Sequence, residues 1–332
     1  GGVNRNVIIN GAMNVAQRGT SSSGLGATDG YFTVDRFKLD FSSLNGRLTQ
    51  TQDSSAPSGF ANSLKLDCTT ADTSIAAGEY MFLTQLIEGQ NVQAFAKGTS
   101  DAKPFAVSFY VKGNASATYV AELYDGDNNR QISKTFSVTT DWTRIELSFP
   151  ADTTGAFGDD NAVSLYLNIW LHAGSTFTGG TLNSSAWASN TNANRAAGIS
   201  SFFDSTDRTF FITGVQLEIG QNPTEFEIEP YETTLLKCQR YYYKSHDYSL
   251  ALANANSTNF SFREERTQTH SMPVNMRSGP TFTATLSIKS LSSGDITISG
   301  GYDFAVSFSD AYEEALPSGN YWYGGYTADA EL

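Results

Sequence analysis

The sequence is short of the residues that most covalent and metal chemistry requires. It holds two cysteines and three histidines in 332 residues. Neither Cys68 nor Cys238 has a metal-ligating neighbour in the chain, and a chain of this length needs no disulfide framework, so both read as buried free thiols. Beside His172, His246 and His270 there is no GxSxG elbow, no HExxH pair and no phosphate-cradling GxxxxGK. The expectation is therefore a protein that is not an enzyme and needs no cofactor. Basic residues are also in deficit: 21 Lys and Arg against 34 Asp and Glu give a net charge of -13, whose field opposes nucleic acid and anionic membranes. No apolar run approaches the roughly 20 residues of a membrane-spanning helix, and no signal peptide is visible. The chain starts at Gly1 rather than Met, which reads as a processed product or a fragment without its upstream attachment segment.

What is abundant points to strands. Aromatic residues make up 13% of the chain, with 22 Phe and 16 Tyr, and 29 glycines stand among many Ser, Thr and Asn residues. Aromatic and β-branched runs separated by polar turns are strand chemistry. Phe105 to Lys112 alternates cleanly, with Phe105, Val107, Phe109 and Val111 on one face and Ser108, Tyr110 and Lys112 on the other. Tyr119 to Tyr124 and Gln131 to Val138 flank a DGDNN turn, and Trp142 to Phe149 follows. Val163 to His172 places Val163, Leu165, Leu167, Ile169 and Leu171 inward, leaving Tyr166, Asn168, Trp170 and His172 opposite. Ser63 to Thr69 and Tyr80 to Ile87 are further strands, and Val7 to Ile9 reads as a short one. Thr20 to Gly30 reads as a flexible tract and Thr178 to Gly198 as a long polar loop around Trp187.

The stretch from Phe210 to Ser245 divides the chain. Phe211, Thr213, Val215, Leu217 and Ile219 alternate with Ile212, Gly214, Gln216 and Glu218, the pattern of a strand closing a sheet. Past Pro223 and Pro230, Tyr231 to Gln239 reads as a short helix, and Arg240 to Lys244 resumes strand chemistry. The spacing predicts an all-β chain: an antiparallel jelly-roll sandwich over 1–229, a short helical linker over 230–240 and a smaller C-terminal β-sandwich over 241–332. In the second domain Ser249 to Phe262, Gln268 to Met276, Thr281 to Lys289, Asp295 to Ser299, Phe304 to Phe308 and Tyr321 to Tyr326 read as strands.

Seven phrases in order carry a resemblance. INGAMNVAQRG followed by YFTVDRF, then PFAVSFYVKG, DWTRIELSFP, TGVQLEIGQNPTEFE, LLKCQRYYY, VNMRSGPT and the terminal TADAEL resemble the bacteriophage tail-fibre and virion-fibre proteins. The chain departs from that family at Met13 and Val15, where an aromatic residue is frequent. The resemblance implies a virion surface protein, commonly a homotrimer, whose first domain is similar to carbohydrate-binding modules. It names no ligand, because one fold serves many functions.

Sugar recognition needs aromatic faces for the ring C–H surfaces and amides, hydroxyls or carboxylates for the ring hydroxyls. Tyr166, Asn168, Trp170 and His172 offer both on one face of one strand, and Tyr110 joins them if its strand is adjacent. The alternative is that this face packs under a loop, another domain or another subunit. Trp187 in its Asn-rich loop and Trp322 and Tyr323 near the end are further candidates, against a final strand that seals the small sandwich. Asp125, Asp127 and Asn129 resemble half a calcium loop, but the downstream Glu is missing and a hairpin turn explains them, so no metal site is assigned. The expected function is host-surface recognition by a phage tail fibre through weak multivalent glycan binding. Its partners would be a homotrimer, other virion proteins through an upstream segment and host glycan, at the virion surface. The alternatives are a purely structural fibre, capsid or decoration component and a polysaccharide depolymerase.

Overall fold

The computed structural model describes residues 5–245, 248–251, 266–271, 273–288, 295–300, 303–309 and 321–332; 248–251, 266–271, 284–288, 295–300, 303–309 and 321–326 are described by their backbone alone. The chain divides into two compact units, residues 1–235 with 332, and residues 236–331.

The larger unit is an antiparallel two-sheet sandwich of the jelly-roll type. Its strands are β1 (Ser21–Leu25), β2 (Gly30–Tyr31), β3 (Lys38–Ser42), β4 (Arg47–Asp53), β5 (Ser63–Thr70), β6 (Tyr80–Glu88), β7 (Phe105–Gly113), β8 (Ala117–Asp125), β9 (Arg130–Val138), β10 (Thr143–Phe149), β11 (Val163–Ala173), β12 (Ala188–Ser189) and β13 (Thr209–Ile219). A six-stranded sheet runs β1-β4-β5-β13-β7-β10 and a seven-stranded sheet runs β12-β9-β8-β11-β6-β3-β2. The period of two decides which side chains meet: Phe105, Val107, Phe109 and Val111 of β7 and Leu165, Leu167, Ile169 and Leu171 of β11 belong to one continuous core. Phe37, Leu39 and Phe41, on alternate positions through β3, also enter that core. Asp125 to Arg130 closes the β8–β9 hairpin, with Asn129 at φ 50°.

Three local expectations are corrected. The alternation of β13 breaks at Gly214, which sits at φ 63°, and the register with β7 shifts between Thr213 and Gln216. This is a β-bulge, which exchanges the two faces of the strand. Phe210 and Ile212 before the bulge and Val215 and Leu217 after it reach the core, while Ile219 stays 42% exposed. Val7 to Ile9 forms no strand: the Val7 amide donates to the Leu217 carbonyl at 3.0 Å, but the Ile8 and Ile9 amides donate to side chains, Asn6 Oδ1 at 3.0 Å and Gln85 Oε1 at 2.7 Å, before the Val215 amide reaches the Gly11 carbonyl at 2.9 Å. Gly11 is required there, since a Cβ would stand 2.0 Å from the Val215 oxygen. The tract 20–30 contains β1, and β4, whose sequence RLTQTQD lacks an apolar alternation, joins β1 to β5. Gln50 of β4 is buried because its side-chain oxygen accepts from the Thr33 amide at 3.1 Å and hydroxyl at 2.8 Å.

The connection between β11 and β13 is not a bare loop. It contains one helical turn, α1 (Ser175–Thr178), and β12, which pairs with β9. Then α2 (Tyr231–Gln239) begins directly after Pro230, with Glu232 in its first turn and Lys237 in its last, both favourable to the helix dipole. The smaller unit holds β14 (Tyr242–Lys244), β15 (Tyr248–Ala251), β16 (Arg266–Ser271), β17 (Thr281–Ile288), β18 (Asp295–Gly300), β19 (Asp303–Ser309) and β20 (Tyr321–Asp329). β20 pairs with β17 along one edge and with β14 and β15 along the other, and a second sheet runs β16-β19-β18. Residues 252–262 of the expected strand Ser249 to Phe262 lie outside the described residues. Neither cysteine forms a disulfide, and both are buried.

Candidate functional site

The outer face of the seven-stranded sheet is where the sequence places recognition chemistry, and cross-strand register assembles it in rows. Tyr166 of β11 stands opposite Tyr124 of β8 and Leu86 of β6. In the next row Asn168 lies between Glu122 and Thr84, with Lys38 of β3 beyond. In the third Trp170 lies between Val120 and Phe82, with Asp40 beyond.

Most of the centre of this face is closed, contrary to the expectation that Tyr166, Asn168, Trp170 and His172 face outward together. Trp170 and His172 are fully buried and Asn168 nearly so. The segment between β11 and β13 covers them: Phe177, Ala196, Leu182 and Ile199 pack with Phe82, Val120 and Trp170 in a second apolar cluster. Beneath it Glu122 is the hub of a polar network. Its carboxylate accepts from Arg195 Nε and Nη2, each at 2.8 Å, from Asn168 Nδ2 at 2.9 Å and from Trp170 Nε1 at 2.8 Å. The Thr84 hydroxyl donates to Asn168 Oδ1 at 2.6 Å. Burial works against the Arg195 charge, but the Glu122 carboxylate outweighs it and holds the guanidinium above its ordinary range. The same guanidinium lies over Trp170 at 4.8 Å and Tyr124 at 5.1 Å, so one arginine pins the covering segment by charge and by cation–π contact.

Two edges of the cover remain half-open. On one side Tyr124 and Tyr166 stand with ring centroids 5.4 Å apart, and the Tyr124 hydroxyl donates to Asn129 Oδ1 at 3.0 Å. On the other, Tyr80 stacks on Phe82 at 5.3 Å and its hydroxyl donates to Asp40 Oδ1 at 3.2 Å, while Lys38 Nζ donates to Asp40 Oδ2 at 2.9 Å. Tyr80, Tyr124, Tyr166, Lys38 and Asp40 are all partly exposed. Burial, reinforced by Asp40, pushes the Tyr80 phenol up to about 12, so it remains a donor at neutral pH. Three phenolic rings, an ammonium and a carboxylate can together stack on an apolar ring face and bond its hydroxyls.

The remaining sequence candidates fall elsewhere. Tyr110 does not join the β11 face: β7 belongs to the six-stranded sheet, where Tyr110 packs on Phe60 at 5.3 Å. Trp187 is not an exposed loop aromatic. It is buried against Phe105 at 5.4 Å, and its indole N–H donates to the Pro150 carbonyl at 2.9 Å. Trp322 and Tyr323 pair through their backbones with Leu250 and Ile288, and with Ser249 and Ser287; their side chains lie outside the described residues. The sequence reading missed Tyr80, Tyr124, Lys38, Asp40, Glu122 and Arg195. For Glu122 and Tyr124 a signal existed, since both alternate with the inward Ala121 and Leu123. For Arg195, in a polar loop, there was none.

No protein-family model matches the chain, and no curated protein matches it significantly. Among solved structures, it aligns with the enzymatically active domain of a tailspike protein of bacteriophage CBA120 at 13% identity and a TM-score of 0.34, covering 65% of this chain and 22% of the tailspike. It thus spans about a fifth of that protein's length. A family 4 carbohydrate-binding module aligns at 10% identity and a TM-score of 0.34, covering 64% of this chain and 98% of the module. A family 11 carbohydrate-binding module from Clostridium thermocellum, in complex with a mixed-linked tetrasaccharide, aligns at 11% identity and a TM-score of 0.31, covering 61% and 97%. No residue role is carried over from alignments this distant.

Proposed function

We propose that the chain is a bacteriophage fibre component at the virion surface that adheres to host-surface glycan through the half-open rims of its seven-stranded sheet. The observation that carries this reading is the Tyr124–Tyr166 pair, partly exposed at one edge of a face whose centre is sealed by apolar and ionic contacts. Ordinary packing buries such rings, and two adjacent phenols left open beside hydroxyl-bonding groups suit a sugar face. The ordered fibre-like phrases of the sequence supply the virion setting. Each contact would be weak, and a homotrimer displayed several times per particle would add them through effective concentration.

The test is retention of the purified full chain on host cells and on a glycan array, with Tyr166→Ala and Tyr124→Ala beside it. The reading expects glycan retention that falls about tenfold per substitution in variants that keep the circular dichroism spectrum of the parent, a loss of about 1.4 kcal/mol per site, with a lower melting temperature for Tyr124→Ala because Arg195 loses a ring beneath it. Absence of retention by a folded oligomer, or a crystal structure with these tyrosines sealed between subunits, would favour a structural component instead. Release of reducing ends from host polysaccharide would establish a depolymerase.

A further inference from the structure

His172 departs from the row that precedes it. A register shift between Trp170 and His172 interrupts the ladder with β6, which resumes at His172 opposite Met81, and the ring faces the loop that joins β5 to β6. Its Nδ1 lies 2.8 Å from the Ser201 hydroxyl oxygen, which also accepts from the Phe203 amide at 3.0 Å. The Phe203 ring stands edge-on to it at 5.3 Å. Its Nε2 faces the Glu79 carboxylate, with Oε2 3.7 Å away, and has no hydrogen-bond partner. Asp72 contributes a second carboxyl group, whose Oδ2 is likewise buried without a partner. One ligand atom from each of the three residues lies within 4.8 Å of the others. His172 and Glu79 are fully buried and Asp72 is 6% exposed.

Neither tautomer of the imidazole completes this cluster from within the protein. If Nδ1–H donates to Ser201, the Nε2 lone pair points at two carboxyl groups. If the Ser201 hydroxyl donates to Nδ1, then Nε2–H faces Glu79 across 3.7 Å, too far for a hydrogen bond. Neither Asp72 nor Glu79 is ion-paired with a lysine or arginine among the described residues, whereas the buried carboxylates Glu122 and Asp125 of β8 each have one. Two acidic groups and an imidazole nitrogen enclosed without a cation are costly to bury.

We propose that Asp72, Glu79 and His172 bind one divalent transition-metal ion of the zinc class, which clamps the 71–79 loop to the end of β11. An imidazole with two carboxylates suits such an ion, whereas calcium and magnesium prefer an all-oxygen shell. The groups that would orient these ligands are in place. Ser201 orients the imidazole, and Glu79 is held by the Asn45 amide at 3.0 Å and the Ala76 amide at 2.8 Å. Residues 73–78, between the two acidic ligands, are exposed. The loop is already tied to the far side of the site, Asp72 N to the Phe203 carbonyl at 2.8 Å and Gly174 N to the Glu79 carbonyl at 2.8 Å, so the ion would lock a closed loop.

The experiment measures metal content of the full chain purified without an affinity tag, then titrates the chelator-treated protein with Zn²⁺, Mn²⁺ and Ca²⁺ while recording melting temperature. One equivalent of zinc or manganese per chain, and a melting temperature that rises by several degrees on zinc addition, are expected. Asp72→Asn, which preserves size, should retain the circular dichroism spectrum of the parent and bind zinc at least tenfold more weakly, and His172→Gln should do the same. If the folded parent binds neither zinc nor manganese, if calcium alone stabilises it, or if folded Asp72→Asn binds zinc as the parent does, the proposal is overturned.

Discussion

Lys97 carries its ammonium into the interior of the larger unit, where it is fully buried between Asp125 and Asp152 and also donates to the Thr154 and Gly155 carbonyls at 2.9 and 2.8 Å. The Phe157 and Trp187 rings lie 5.2 and 5.4 Å from it. Arg130 completes the group with two bonds to Asp152 at 2.7 and 3.0 Å. Burial on its own would raise the Asp152 carboxyl, but Arg130, the Thr154 amide and Lys97 outweigh it and hold Asp152 below the usual carboxylate range. A depressed folded-state value means that the contribution of Asp152 to stability is fully present above the unfolded value, about 4, and is lost as the pH falls through the folded value. Denaturant midpoints measured from pH 6 to pH 2.5 should therefore decline below about pH 4, and less steeply in Asp152→Asn. Equal slopes in parent and variant would show that the pair does not supply this stability.

At the scale of the element, the bulge in β13 organises one side of the sandwich. By releasing the Val215 backbone from β7 it gives the N-terminal segment its bonds, and by exchanging faces it lets Phe210, Ile212, Val215 and Leu217 all serve one core. Gly214 is suited to the position twice over: its φ is 63°, and a Cβ would meet the Phe60 ring at 2.7 Å and the Tyr110 ring at 2.9 Å. Gly214→Ala should cost about 2–4 kcal/mol, from left-handed backbone strain and overpacking together. Urea unfolding measures it, and a cost below about 0.5 kcal/mol would mean that the strand can run unbulged. The covering segment between β11 and β13 shows the complementary case. It has little regular structure, yet Arg195, Phe177 and Ala196 fix it on Trp170.

At the scale of the whole molecule, the fibre reading depends on copy number. A chain of net charge -13 meets a negatively charged cell surface unfavourably, and single shallow aromatic sites bind sugars weakly, so adhesion requires several sites at once. Under the fibre reading, retention on immobilised glycan should fall by at least a hundredfold when the proposed homotrimer is dissociated to folded monomers, a comparison that size-exclusion light scattering and surface binding make directly. Equal retention by monomer and oligomer would contradict the multivalent mechanism.

The sequence by itself determined the all-β class, the core faces of β7 and β11, the hairpin at Asp125 and the helix Tyr231–Gln239, because each rests on a local period or a turn residue whose effect reaches only a few positions. Tertiary structure alone decided which outward faces stay outward. Alternation places Trp170 and His172 opposite the core, but it cannot report that a polar segment twenty-odd residues later folds back over them, nor that Tyr110 lies in the other sheet. Nor can a period of two foresee the bulge that reverses β13, or the meeting of Asp72, Glu79 and His172 from opposite ends of the sequence between β5 and β11. Burial of a face, and the partners of a buried charge, are set by what packs from a distance, and no local pattern encodes that.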